Sequence, residues 1–171
     1  AGIHTVFPDQ RGRLVSTGTL TRIDADLTLA ILCPGGPLSL RQWLTRYHFA
    51  EELTIEDMGS EACLLELFGP GALQAAQRGL GISLAQVAAG HLAGAIPGEA
   101  LWLVRHNAFG LPGLRLVAPA DASASICRRL LEAGVSPLGE TAAETLRVES
   151  GTAGPAELTM EHNPWEAGLA S

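Results

Sequence analysis

Lysine is absent from the 171 residues, and all eleven basic side chains are arginine. That excludes Schiff-base chemistry on a lysine amine and the phosphate-binding lysine of a P-loop. Cysteine is scarce: Cys33, Cys63 and Cys127 are odd in number and widely spaced, which fits neither a disulfide framework nor a CxxC metal pair. They read as reduced core cysteines. No apolar run is long enough to cross a bilayer, and the opening "AGIHTVFPDQRGR" is mixed and turn-rich rather than a signal-peptide pattern, so a cytoplasmic protein without a membrane partner is expected. Low-complexity segments and clear linkers are also lacking.

What is present is a core-forming composition, with 47% apolar and 17% charged residues. This length accommodates one domain, or two small halves sharing a core. Eleven basic against 18 acidic residues give a net charge of −7, which argues against a direct nucleic-acid grip, because phosphate binding needs clustered positive charge.

Along the chain, "HTVF" predicts a strand turning at "PDQRGR", and "LVSTGTLTRI" predicts a hairpin with "LTLAIL" through Asp24-Ala25-Asp26. "PGGPLSLRQWLTRYHF" predicts an amphipathic helix capped by Ser39, with Leu40, Trp43, Leu44 and Tyr47 recurring at three and four. "LTIEDM" and "ACLLELF" follow as strands. In "GPGALQAAQRGLG" Pro70 suits the first helical position, and "SLAQVAAGHLAG" predicts a further helix capped by Ser83. "ALWLVRH" and "LRLVAP" predict strands joined by "NAFGLPG". "DASASICRRLLEAG" predicts a helix capped by Asp121 or Ser123, with Ile126, Leu130 and Leu131 on one face and Gly134 as its stop; "GETAAETLRVES" predicts the last helix. The expected fold is α+β: two split β-α-β-like halves, 1–68 and 69–171, each an antiparallel sheet with helices on one face.

Motifs with chemistry are few. Gly69-x-Gly71 fails as a dinucleotide loop because Gln74 stands at the third glycine position. His4, His48, His91, His106 and His162 lack spacing that would place two imidazoles on one metal, and no G-x-S-x-G elbow occurs. Arg128 and Arg129 with Arg105 and Arg115 form either a local anion patch or a solvated face. In "LRVESGTAGPAELTMEHNPWEAGLAS", Glu149 and Glu166 bracket a Gly/Pro-rich loop beside Trp165. They form either a polar clamp at an apolar pocket, or one capping and one surface glutamate.

That closing run resembles the folate-binding superfamily of the glycine-cleavage T-protein and the YgfZ-type proteins. Arg147, Glu149, Gly151, Glu157, Leu158, Pro164, Glu166, Ala167, Gly168 and Leu169 fall on its pattern R-x-E-x-G, G-x-E-L-like, P-x-E-A-G-L. Upstream, "DQRGRL", "RYHFAEELTIEDM" and "LLELFGPGA" are similar to further family segments, so the resemblance covers nearly the whole chain.

The resemblance implies tetrahydrofolate or a derivative as ligand. It implies Glu166 as the fork accepting two pterin donors, Glu149 as second carboxylate, Arg147 within the motif, and Trp165 in the pocket wall. The sequence is expected to be a central fragment, without the family's N-terminal segment, its K-G-C-Y-x-G-Q-E motif or its C-terminal barrel. Where T-proteins carry an aspartate needed for aminomethyl transfer, this chain has Val15 and Ser16. The resemblance therefore favours the YgfZ type, with an implied role in assembly or maintenance of iron–sulfur cluster client proteins, over an aminomethyltransferase. A degenerate interaction domain without ligand is the third reading.

Overall fold

The computed structural model describes residues 2–33, 40–82, 91–96 and 99–169. Strands β1 (Ile3–Pro8), β2 (Leu14–Arg22) and β3 (Thr28–Leu32) form one antiparallel sheet in that order. The β1–β2 turn is held by the Asp9 carboxylate, which accepts the backbone N–H groups of Arg11 and Arg13 at 2.8 Å each. Strands β4 (Ala62–Phe68), β5 (His91–Ile96), β6 (Glu99–Ala108) and β7 (Leu111–Pro119) form a second antiparallel sheet, ordered β4-β7-β6-β5.

Strand periodicity decides what lies on each side of the second sheet. Leu67, Leu103, Leu114, Leu116 and Ala118 point to one face. There they are covered by α2 (Ala72–Leu80) through Ala72, Ala76 and Leu80, and by α3 (Ser123–Glu132) through Ile126 and Leu130. Val104 and Val117 point to the other face and meet Ile31 and Leu29 of β3. The layers are therefore helices, four-stranded sheet, three-stranded sheet. Helix α1 (Leu40–Tyr47) lies by the first sheet, with Trp43 edge-on to Phe7 at 6.3 Å. Helix α4 (Glu140–Glu149) contributes no buried residue to either cluster.

The α+β class and the antiparallel sheets are as the sequence predicts, and several elements differ. "LTIEDM" is not a strand: residues 51–58 are almost wholly exposed and acidic, and no ladder includes them. Strand β4 pairs with β7, so it belongs to the second sheet although the expected first half ran to residue 68. In "SLAQVAAGHLAG", Ser83–Gly90 lies outside the described residues, as does the predicted cap Ser39. His91–Ile96 is a strand, because pairing with β6 from His91↔Val104 to Ile96↔Glu99 overrides the helix preference of its alanines. Pro70 sits in the turn before α2 rather than at its first position, and α1 ends at Tyr47.

Neither Asp121 nor Ser123 caps α3 with its side chain. The chain enters through a 3₁₀ turn at Ala120–Ala122, and the Ser123 hydroxyl donates to the Ala120 carbonyl at 2.7 Å. Leu131 is 50% exposed, since five residues from Ile126 carries it off the buried stripe. The three cysteines are free and half-buried, and Cys63 packs against the helix-covered core cluster. No helix among the described residues is long and apolar enough to cross a membrane.

Candidate functional site

Helix α4 ends in the motif Arg147-x-Glu149-x-Gly151, and Gly151 takes a positive φ of 67° that turns the chain back over the helix. Arg147 organises the returning loop. Its guanidinium donates bidentately to Glu144 at 2.8 and 2.6 Å, to the Thr152 carbonyl at 2.6 Å and to Glu157 at 3.4 Å. The Glu157 carboxylate also accepts the Gly154 N–H at 2.6 Å. A Cβ on Gly154 would lie 2.8 Å from the Arg147 Cζ, so a glycine lets the loop pass over the guanidinium. The hydrogen bonds that Arg147 donates to Glu144 raise the Arg147 pKa further and lower that of Glu144. Arg147 is thus a structural hub whose donors are taken up within the chain.

An open cavity of about 760 Å³ lies between α4 and the β6–β7 turn, lined by Phe109, Glu140, Ala143, Glu144, Val148 and Glu149 among others. Its volume is in the range of small-molecule sites. Glu149 is exposed on its wall and makes no hydrogen bond or ion pair to any described residue, so its carboxylate is available to a ligand.

Glu166 is placed differently. Its Oε2 accepts the Asn163 N–H at 2.9 Å, while Asn163 Oδ1 accepts the N–H groups of Trp165 and Glu166 at 3.0 and 2.9 Å. This is the reciprocal arrangement of a capping box, with Pro164 opening a single helical turn. The same Oε2 accepts Arg13 Nη1 at 3.2 Å. Both bonds fall on Oε2 and engage Glu166 within the chain. Trp165 is 76% exposed. No hydrogen bond or ion pair among the described residues links Glu149 to Glu166.

The arginine patch is not assembled. Arg115 pairs with Glu66 at 2.8 Å and reaches Thr19 at 3.3 Å on the face between the sheets, whereas Arg129 donates to the Gly79 carbonyl on the helical side. His106 Nε2 meets the same Glu66 oxygen at 3.1 Å. Val15 and Ser16 lie buried within β2, and the nearby Asp9 has its pKa lowered by the Arg13 and Arg11 N–H groups. Among the described residues no group of three or more potential ligand side chains could hold a metal ion.

Two structural features escaped the sequence reading. Phe109 carried no motif. The Asn163-x-x-Glu166 spacing of a capping box was present but stood inside a stretch read for ligand binding.

Residues 2–171 match the family model described as the GCVT N-terminal domain. Over 133 residues, 75% of this chain and 35% of the relative, the chain is 32% identical to an aminomethyltransferase of Synechococcus elongatus. It is 35% identical over 109 residues, 63% of this chain and 30% of the relative, to an aminomethyltransferase of Synechococcus sp. strain RCC307. Over 171 residues, 98% of this chain and 39% of the relative, it is 28% identical to a chloroplastic protein of Arabidopsis thaliana named as a transferase. The chain spans roughly a third of the length of these curated relatives.

Proposed function

The chain belongs to the GCVT N-terminal domain family, within the superfamily of the glycine-cleavage T-protein, and from that membership we propose that it binds tetrahydrofolate or a derivative in the cleft beside α4. The observation that carries this reading is Glu149, an unpartnered carboxylate on the wall of a cavity of ligand size. A reduced pterin presents a ring N–H and an exocyclic amine side by side, and one carboxylate accepts both as a fork. Glu149 supplies that fork, while Arg147, held by Glu144 and Glu157, fixes the end of the helix that carries it.

Within the superfamily, the reading extends to a YgfZ-type role in supporting iron–sulfur cluster proteins. It rests on Val15 and Ser16, which leave β2 without a carboxylate where aminomethyl transfer needs one. Asp9 is a poor substitute base, because the backbone donors that hold it stabilise its ionised form.

Calorimetric titration of tetrahydrofolate tests the ligand. Glu149→Gln places a donor against a donor and is expected to weaken binding roughly tenfold to a hundredfold; equal affinities would remove Glu149 from the site.

A second reading, aminomethyl transfer, is favoured by the names of the cyanobacterial relatives. Formation of methylene-tetrahydrofolate from an aminomethyl-carrier substrate would establish it, and no turnover is expected.

A further inference from the structure

We infer that Phe109 is a stacking platform for the planar ring of the ligand in the cleft beside α4, an inference that rests on the folate-binding reading above. Strands β6 and β7 are joined by the two residues Phe109 and Gly110, with φ of 53° and 73°. Two positive φ values in a two-residue hairpin loop define the turn type that matches the twist of the strands, and glycine, asparagine or aspartate normally fill both places. Phe109 is the one residue other than glycine with positive φ among the described residues. A bulky side chain in this backbone conformation is strained, and strain of this kind persists where the surrounding structure requires the side chain.

What requires it is not the main core. Phe109 is half-buried and belongs to neither buried cluster. Its ring is held edge-to-face by Phe68, with centroids 5.3 Å apart and planes at 81°, so it is fixed in orientation. Phe109 lines the same cavity as Ala143 and Val148 of α4, and as Glu149. The cavity thus offers apolar surface from both the turn and the helix, together with a free carboxylate. A flat heteroaromatic ring with N–H donors along one edge fits this combination: Phe109 takes the π face while Glu149 takes the edge. Packing against Phe68 alone would explain the ring's contact but not its place in the cavity wall.

The test uses tetrahydrofolate titrated into the wild-type chain and into Phe109→Asn and Phe109→Tyr. Asparagine suits the turn and removes the ring, so the fold should hold while the dissociation constant rises about tenfold. Tyrosine keeps the ring and should bind within about twofold of wild type. Should the asparagine variant fail to fold, Phe109→Leu, which keeps apolar bulk without a π face, gives the same comparison. Proton NMR of the bound ligand supplies an independent readout: the C6 and C7 protons of the reduced ring fused to the stacked one should shift upfield by ring current in the wild type, and that shift should vanish in Phe109→Asn or Phe109→Leu. Tight binding by wild type and an equally tight, spectrally unchanged complex in the ring-less variants would overturn the stacking role alone. No binding by wild type would overturn the folate reading and this inference with it.

Discussion

Arg13 Nη1 donates to Glu166 Oε2 at 3.2 Å and to the Glu161 carbonyl at 2.5 Å, fastening the β1–β2 turn to a segment 153 residues away. One residue on, the Leu14 N–H donates to the His162 carbonyl at 3.0 Å. The segments "DQRGRL" and "NPWEAGL" therefore form one structural unit. Each looks incomplete alone because its partner lies at the other end of the chain.

That unit separates the two glutamates by experiment. Asn163→Ala removes the acceptor of the capping box and should cost about 1 kcal/mol of stability. Glu166→Gln should cost less, about 0.5 kcal/mol, because the Arg13–Glu166 pair is half-exposed and such pairs contribute little. Neither change should move tetrahydrofolate affinity. Chemical denaturation and calorimetry check both, and a large affinity loss in Glu166→Gln at unchanged stability would return the ligand fork to Glu166.

Gly79→Ala should destabilise the protein even though alanine is the better helix former. A Cβ there would lie 2.8 Å from the Arg129 carbonyl oxygen and 3.1 Å from the Ala133 Cβ, where α2 crosses α3. Overpacking costs about 1–3 kcal/mol against a propensity gain of about 1 kcal/mol, so the net loss should be on the order of 1 kcal/mol. A raised melting temperature would show that the helices separate freely.

Thr21→Val should stabilise. Thr21 is 1% exposed, and its Oγ1 has no hydrogen-bond partner among the described residues. Replacing the hydroxyl by a methyl of similar size relieves an unsatisfied buried group, for a gain of about 1 kcal/mol. Equal or lower stability in urea titrations would mean that the hydroxyl finds a partner in solution.

Glu66 should make the fold acid-sensitive. His106, then Arg115, holds its carboxyl below the ordinary value of 4.5, with burial opposing. A depressed folded-state pKa contributes stability that is present above 4.5 and is lost as pH falls through the lower folded value. Glu66→Gln should therefore cost about 1 kcal/mol at neutral pH, and the difference from wild type should shrink below about pH 4.5. A pH-independent difference in melting temperature would assign the loss to packing.

Period-two alternation in "LRLVAP" and the turn at Asp24-Ala25-Asp26 are local properties, so β7 and the β2–β3 hairpin were legible, as were α4 and the motif Arg147-x-Glu149-x-Gly151. The α+β class followed from these pieces. "LTIEDM" and "HLAGAI" were misread because a strand exists only where another strand pairs with it: residues 91–96 have β6 beside them and residues 51–58 have no strand partner among the described residues. Assigning β4 to the second sheet likewise depended on its ladder with β7, some fifty residues downstream. The surroundings of the carboxylates depend in part on the same kind of distant contact. Both glutamates were visible as candidates; the Asn163-x-x-Glu166 spacing encodes the capping bond, whereas the bond from Arg13 to Glu166 and the place of Glu149 beside a cavity come only from the tertiary structure. Local sequence determined the helix and turn signals and which charges were present; the long-range hydrogen bonds and packing of the tertiary structure decided which segments became strands and which of those charges were paired within the chain.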